Sequence, residues 1–146
     1  LMIFASKEDP TREDSRVQQL CRFLLSEDSP VFKYTPSGAD VDSIIDTRAI
    51  FQQARTELQI QALPDILRPP KGRYGLVDFE KLFSRDDQSN IFEMRGIDRD
   101  RGCLVVVRPD QHIANVLPLD AHAELAAFFE QFMLPRLVTR NSNSYH

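Results

Sequence analysis

Residues 101–119, RGCLVVVRPDQHIANVLPL, constrain the fold of this chain more than any other stretch. The run from Cys103 to Val107 is apolar and rich in β-branched side chains, which favours a buried strand. Pro109-Asp110 predicts a turn, because proline pre-sets the φ angle of the second residue of a type I turn. A return strand over residues 112–117 completes a predicted β-hairpin.

A helix is predicted directly after the hairpin. Asp120 is a good N-cap residue, and Pro135 would stop the helix. The apolar side chains between them recur at i, i+4, i+7, i+8, i+11 and i+12, which places them on one helical face. They are Ala121, Leu125, Phe128, Phe129, Phe132 and Met133.

The first half of the chain predicts a strand, a helix and a second strand. Residues 1–5 form an all-apolar run typical of a strand buried on both faces. Thr11 and Asp14 have the spacing of a capping box, and Ser29-Pro30 would end the helix that follows. The apolar face of that helix comprises Val17, Leu20, Cys21, Leu24 and Leu25.

The second strand is predicted around residues 45–51. Ile45, Thr47, Ala49 and Phe51 alternate there with Asp46, Arg48 and Ile50. A strand, a helix and a strand in this order predict a parallel pair joined by a right-handed crossover.

The middle of the chain is less regular. Residues 52–67 show a weaker helical pattern in which Leu58, Ala62 and Ile66 share a face, although Pro64 could break it. Residues 76–83, LVDFEKLF, fit a strand or a helix equally well. NIFEMRG predicts a short helix that closes at Gly96, a plausible C′ position.

The resulting order is β-α-β, then helical material, then β-β-α. This order predicts an α/β, thioredoxin-like fold with a mixed sheet of about four to five strands and helices on both faces. In that fold the redox centre lies where the first strand meets the first helix, but ASKEDPTRED contains no cysteine there. Gly102, not proline, precedes the hairpin. A thiol oxidoreductase is therefore disfavoured, since its nucleophile would have to be a low-pKa cysteine.

Composition bounds the partners. The chain has 146 residues, enough for one domain, predicted over residues 1–134 with a polar tail over 135–146. A net charge of -4 argues against nucleic acid or an anionic membrane. No apolar run approaches the roughly 18 residues that span a bilayer. Cys21 and Cys103 are predicted to be buried thiols, which fits an intracellular, cytoplasmic location better than an oxidising one.

The remaining polar clusters favour structural roles over chemistry. Asp40, Asp42, Asp46 and Arg48 predict a solvated loop with an ion pair near a strand edge, because the spacing of an EF-hand is not met. GIDRDRG predicts a surface loop with local pairing, with an interface role as the alternative. His112, His122 and His146 lack metal-ligand spacing, and no glycine motif for a nucleotide is present. We predict no catalytic, cofactor-binding or metal-binding residue.

Arg108 carries two hypotheses. An arginine at a strand end can form a bidentate ion pair with a carboxylate of its own chain. It can equally contact another domain or subunit.

RGIDRDRGCLVVVRPDQHIANVLPL followed by ELAAFFEQFM resembles the C-terminal domain of the flavin-dependent aromatic hydroxylases, the group of phenol 2-monooxygenase and 3-hydroxybenzoate 4-monooxygenase. DSIIDTRAIFQQ and LPDILRPPKGRYGLVDFEKLF extend the resemblance over nearly the whole chain. The matched positions, expected to be fold or interface residues, are Gly96, Ile97, Asp98, Gly102, Arg108, Pro109 and Asp110.

The resemblance implies a thioredoxin-like dimerisation domain without catalytic residues. FAD, and NADPH as cosubstrate, would bind to other domains of a longer parent, of which this chain reads as a truncated piece. The expected partners are those domains and a second copy of the chain, and Phe23, Val31 and Phe32 are candidates for a partner surface. The alternative is a stand-alone thioredoxin-like binding module without redox activity.

Overall fold

A five-stranded mixed sheet organises the molecule, whose computed structural model describes residues 1–84 and 91–134. The strands are β1 (Met2–Phe4), β2 (Arg48–Ile50), β3 (Pro70–Lys71), β4 (Leu76–Val77), β5 (Leu82–Phe83), β6 (Cys103–Val107) and β7 (Ile113–Leu117). The order in the main sheet is β5-β2-β1-β6-β7, and β3 and β4 form a separate antiparallel pair.

The strand directions match the prediction. β1 runs parallel to β2, with Met2 opposite Arg48, and antiparallel to β6, with Met2 opposite Val105. β5 adds a parallel edge strand beside β2, and β7 an antiparallel one beside β6. The sheet is therefore a parallel βαβ half joined to an antiparallel hairpin, which confirms the predicted thioredoxin-like α/β class.

Helices cover both faces of the sheet, as predicted, but unequally. They are α1 (Arg16–Leu24), α2 (Pro30–Tyr34), α3 (Ile91–Met94) and α4 (His122–Glu130). The core of the inner face includes side chains of α1, α2 and α4 together with Ile3, Ala49 and Leu104. The core of the outer face is smaller, and there Phe92 of α3 packs edge-on against Phe4 with ring centres 5.7 Å apart.

Two predicted helix starts are wrong. α1 begins at Arg16 because the Ser15 side chain accepts a hydrogen bond from the Gln18 N–H, so Thr11 and Asp14 do not cap it. α4 begins at His122 with Ala121 as its N-cap, and no side chain, including that of Asp120, bonds to the cap position. In both cases the helix starts later than the first good capping residue in the sequence.

The predicted helix over residues 52–67 is also wrong. Two short 3₁₀ turns, Ile60–Ala62 and Asp65–Leu67, replace it. Pro64 separates them, and proline lacks the N–H that a continuous helix needs at that point. Leu63 and Leu67 are buried in the core, whereas Ala62 is exposed.

Two further differences concern α1 and its surroundings. Leu25 is 50% exposed rather than on the apolar face, because α1 ends at Leu24. Ser29-Pro30 does not end α1, which stops at Leu24, but begins α2. The Ser29 side chain accepts a hydrogen bond from the Phe32 N–H, and Pro30 lies in the first turn of α2.

A buried lysine pairs with the acidic loop, which is the segment that contains Asp40, Asp42 and Asp46. Lys81 Nζ lies 2.7 Å from Asp42 and contacts Asp46, while its side chain is only 3% exposed. Lys71 of β3 bridges Asp42 at 2.7 Å and Asp78 at 3.3 Å. Asp40 remains solvated as predicted, but Asp42 does not, so the prediction of a wholly solvated loop is wrong.

The predicted ion pair at the strand edge is confirmed, since Arg48 Nε lies 2.9 Å from Asp46. Burial alone would raise the pKa of Asp42 and of Asp46, but hydrogen bonds from lysine and arginine outweigh it and lower both. The carboxylates are therefore charged in the folded state, and the ammonium group of Lys81 forms an ion pair with each of them.

We predict that Lys81→Met lowers the free energy of unfolding by about 3 kcal/mol at pH 7, because it removes the cation from a buried ion pair. Urea unfolding measures the change. Folding lowers the pKa of both carboxyl groups. The loss of unfolding free energy should therefore be complete at neutral pH, and it should become smaller as the pH falls below 3.8, the ordinary pKa of aspartate.

Lys33→Met is the matched control. Lys33 pairs with Glu130 on the surface at 3.2 Å, where an ion pair contributes less than about 1 kcal/mol. Equal effects of the two substitutions would contradict the structural role of Lys81.

Candidate functional site

The position at which a thioredoxin-like fold carries its redox centre is closed by backbone and side-chain hydrogen bonds. The Gln52 amide donates to the Ala5 carbonyl at 2.9 Å and to the Arg99 carbonyl at 2.7 Å. Arg99 Nε donates back to Gln52 Oε1 at 2.9 Å. Lys7 adds a backbone bond to Arg99 and an ion pair with Asp100. These residues fasten the end of β1 to the loop before β6, and none of them carries a thiol.

Neither cysteine suits redox chemistry. Both are free thiols. Burial raises the pKa of Cys21 to about 12 and also raises that of Cys103. Cys21 is buried as predicted, whereas Cys103 is only half-buried.

Gly96 ends α3 with a Schellman motif. The Gly96 N–H bonds to the Glu93 carbonyl at 3.2 Å, and the Ile97 N–H bonds to the Phe92 carbonyl at 2.8 Å. Gly96 has a φ of +64°, a left-handed conformation that favours glycine. Ile97 then packs into the outer core beside Phe92. The predicted C′ role of Gly96 is thus confirmed.

Asp98 and Gly102 shape the loop that leads into β6. Asp98 Oδ1 accepts the N–H groups of Asp100 and Arg101, and its carbonyl accepts the Gly102 N–H at 2.8 Å. Gly102 has a φ of +65°, and a Cβ there would lie 2.2 Å from the Phe4 carbonyl oxygen. The glycine therefore allows the loop to approach β1 closely.

Arg108, Pro109 and Asp110 form the tip of the hairpin. The Gln111 N–H donates to the Arg108 carbonyl at 2.9 Å, which places Pro109 at the second turn position, as predicted. Arg108 Nη2 lies 3.0 Å from Asp110, so its carboxylate partner is in the same chain. A backbone bond from His112 is the main reason for the lowered pKa of Asp110.

The signature residues form two separate groups. Gly96, Asp98 and Gly102 lie before β6, whereas Arg108, Pro109 and Asp110 lie after it. β6 separates Gly102 from Arg108 by roughly 20 Å, given about 3.4 Å per residue along a strand. They do not make a single site, and their contacts are those of residues that shape the fold.

A large concave surface lies on the outer face of the sheet, and we call it the outer-face trough. It has a volume of about 740 Å³, and its walls are mainly apolar, with Arg95, Asp98 and Gln111 as polar side chains. The side chains that form it include Met2, Phe4, Ile91, Ile97, Val105, Val107, Ile113 and Val116.

A second concave surface, which we call the α4-end groove, lies at the end of the sheet where β1 begins and β6 ends. Its volume is about 500 Å³. It is lined by Leu1, Ile44, Phe128, Phe132 and Met133 together with the charged side chains of Asp46, Arg48 and Arg108.

The predicted partner surface is wrong in part. Val31 is only 2% exposed because it belongs to α2, which the sequence pattern did not reveal. Phe23 stacks on His122 with ring centres 4.8 Å apart and packs against the core. Phe32 remains 41% exposed. Ile113 and Val116 were not predicted as part of a partner surface, although the last predicted strand carries apolar residues on both of its faces.

Residues 1–84 and 91–134 contain neither a candidate membrane span nor a candidate metal site. No helix there is long and apolar enough to cross a membrane. Within the same ranges, no three histidine, cysteine or acidic side chains are grouped so that they could hold a metal ion.

Comparison with known proteins gives these surfaces a context. Residues 1–137 match the family model described as "Phenol hydroxylase, C-terminal dimerisation domain". The chain belongs to this family. The recognised resemblance to the aromatic hydroxylases is thereby confirmed.

Two relatives show how much of a longer protein this dimerisation domain represents. It is 54% identical over 137 residues to 3-hydroxybenzoate 4-monooxygenase of Comamonas testosteroni, covering 91% of the chain and 21% of the relative. It is 34% identical over 151 residues to the FAD-dependent monooxygenase terD of Aspergillus terreus, covering 100% of the chain and 25% of the relative. The chain thus spans a fifth to a quarter of the relatives' length.

We predict that Gly102→Ala lowers the free energy of unfolding by at least about 3 kcal/mol, since the new Cβ is strained and meets the β1 backbone. Gly38→Ala is the matched control: Gly38 has a φ of +79° but open space around its Cβ position. We expect a cost of about 1 kcal/mol there. Similar urea midpoints for the two variants would show that the close approach to Phe4 is unimportant.

The thiols give a further prediction. In the native protein a thiol-specific chromophoric reagent should leave Cys21 unmodified and react slowly with Cys103, because burial disfavours the thiolate of both. Both should react at once in denaturant. Cys103→Ser assigns the slow phase, and rapid native labelling of two thiols would contradict this environment.

Proposed function

We propose that this chain is the C-terminal, non-catalytic dimerisation domain of an FAD- and NADPH-dependent monooxygenase that hydroxylates a phenolic compound inside the cell. Its partners are a second copy of itself and the flavin and substrate domains of the parent polypeptide. The match of residues 1–137 to the dimerisation-domain family is the observation that carries this proposal.

The geometry supports association rather than catalysis. The position of the thioredoxin redox centre is occupied by Gln52, Lys7 and Arg99, and the raised thiol pKa values disfavour nucleophilic chemistry. The outer-face trough is large and apolar, as expected of a surface that another protein covers. The names of both relatives support the monooxygenase assignment, and one of them states FAD dependence.

Cofactors follow from the same relatives. Flavin enzymes bind FAD on a dinucleotide-binding fold with a glycine motif. The sequence here contains no such motif. FAD and NADPH are therefore assigned to the parent, and this chain is proposed to bind neither.

The proposal predicts that the 146-residue chain sediments at twice its mass of 16.8 kDa at high concentration, and dissociates on dilution. Sedimentation equilibrium over a wide concentration range measures this. A single-chain mass throughout would contradict the dimerisation role and favour a stand-alone binding module.

A second arm tests the non-catalytic assignment. The chain is incubated with FAD, desalted, and examined for flavin absorbance in the visible range. We expect no retained flavin, and stoichiometric retention would overturn the assignment.

A further inference from the structure

We propose that the outer-face trough is the surface on which the second copy docks, with Ile113 and Val116 of β7 as its most exposed apolar side chains. The inference rests on the proposed dimerisation role and deepens it by naming the interface. It assigns the α4-end groove to the parent's own preceding domains.

The first reason is the unequal cover of the sheet. The inner face is packed under α1, α2 and α4, whereas α3 covers the outer face only around Phe4 and Ile50. Among residues 1–84 and 91–134, no helix packs on the half formed by β6 and β7 on that side. Val107 is 36% exposed, Ile113 is 63% exposed and Val116 is 55% exposed. Neighbouring exposed apolar side chains on one face are typical of an interaction site.

The second reason is the distribution of charge. Among the described residues that line the trough, the charged ones are Arg95 and Asp98, which follow α3. The centre on β6 and β7 is apolar. An uncharged core with a polar rim is the anatomy of homodimer interfaces. One cation and one anion on the rim also suit a two-fold contact, because each can face its opposite on the other copy.

The third reason concerns the edge of β7. Asn115 Oδ1 accepts a hydrogen bond from the Val116 N–H at 2.9 Å, so this backbone donor is already satisfied by a side chain. Adding a strand at this edge would have to break that bond. The second copy is therefore expected to meet the face of the sheet rather than extend it.

The α4-end groove suits a different occupant. The groove contains Asp46, Arg48 and Arg108, three charged side chains that an apolar dimer core would have to desolvate. Contacts between domains of one chain are more polar than obligate interfaces between subunits.

The test compares Ile113→Glu with Ile44→Glu in the 146-residue chain. Both replace a surface isoleucine, 63% exposed in the trough and 49% exposed in the α4-end groove, respectively. We expect Ile113→Glu to raise the dimer dissociation constant at least tenfold and Ile44→Glu to change it less than threefold. Sedimentation equilibrium gives both constants, and thermal melting checks that each variant is folded.

Each outcome decides a separate question. A wild-type chain that is monomeric at every concentration overturns the proposed function itself. A wild-type dimer that Ile113→Glu leaves intact and Ile44→Glu dissociates overturns this inference alone. If Ile113→Glu melts early, Ile113→Ser replaces it: a raised dissociation constant supports the trough, and an unchanged one contradicts it.

Discussion

The rest of the structure depends on β1 being the central strand of the sheet, with a parallel neighbour on one side and an antiparallel one on the other. Such a strand must be covered on both faces, and its side chains show it: Ile3 is fully buried on the inner face and Phe4 is nearly so on the outer face. The inner cover is complete within the chain. Within the part of the chain that the structure describes, the outer cover stops at α3, so β6 and β7 present exposed apolar side chains on that face.

The same strand explains what replaced redox chemistry. In a thioredoxin-like fold the ends of β1 and of the loop before β6 bring the reacting groups together. Here Gly102 lets that loop approach Phe4, and Gln52 bonds to both segments, so the position is occupied by structural contacts. Lys81, directly before β5, likewise joins two segments, because its ion pairs with Asp42 and Asp46 tie β5 to the acidic loop.

The sequence was most informative where hydrophobic periodicity and turn chemistry agreed. The hairpin of β6 and β7, the turn at Pro109 and the cap at Gly96 were all predictable, because each depends on local backbone preferences. The prediction of a helix over residues 52–67 was wrong because the spacing of its apolar residues is a weak signal. Pro64, which lacks the N–H that a continuous helix needs, outweighs that signal. The burial of Lys81 was unpredictable, since its partners come from Asp42 and Asp46, far away in the chain. The trough was missed for a related reason: which apolar residues lack cover depends on where every helix packs.

The central claim is that two copies meet through the half of the outer face formed by β6 and β7. Isotope-filtered nuclear Overhauser measurements test it most directly, on a dimer mixed from methyl-labelled and unlabelled chains. We predict intermolecular contacts from the methyl groups of Ile113 and Val116, which line the trough and not the α4-end groove. Intermolecular contacts from Ile44 and Met133, with none from Ile113 or Val116, would place the interface in the α4-end groove and contradict the account.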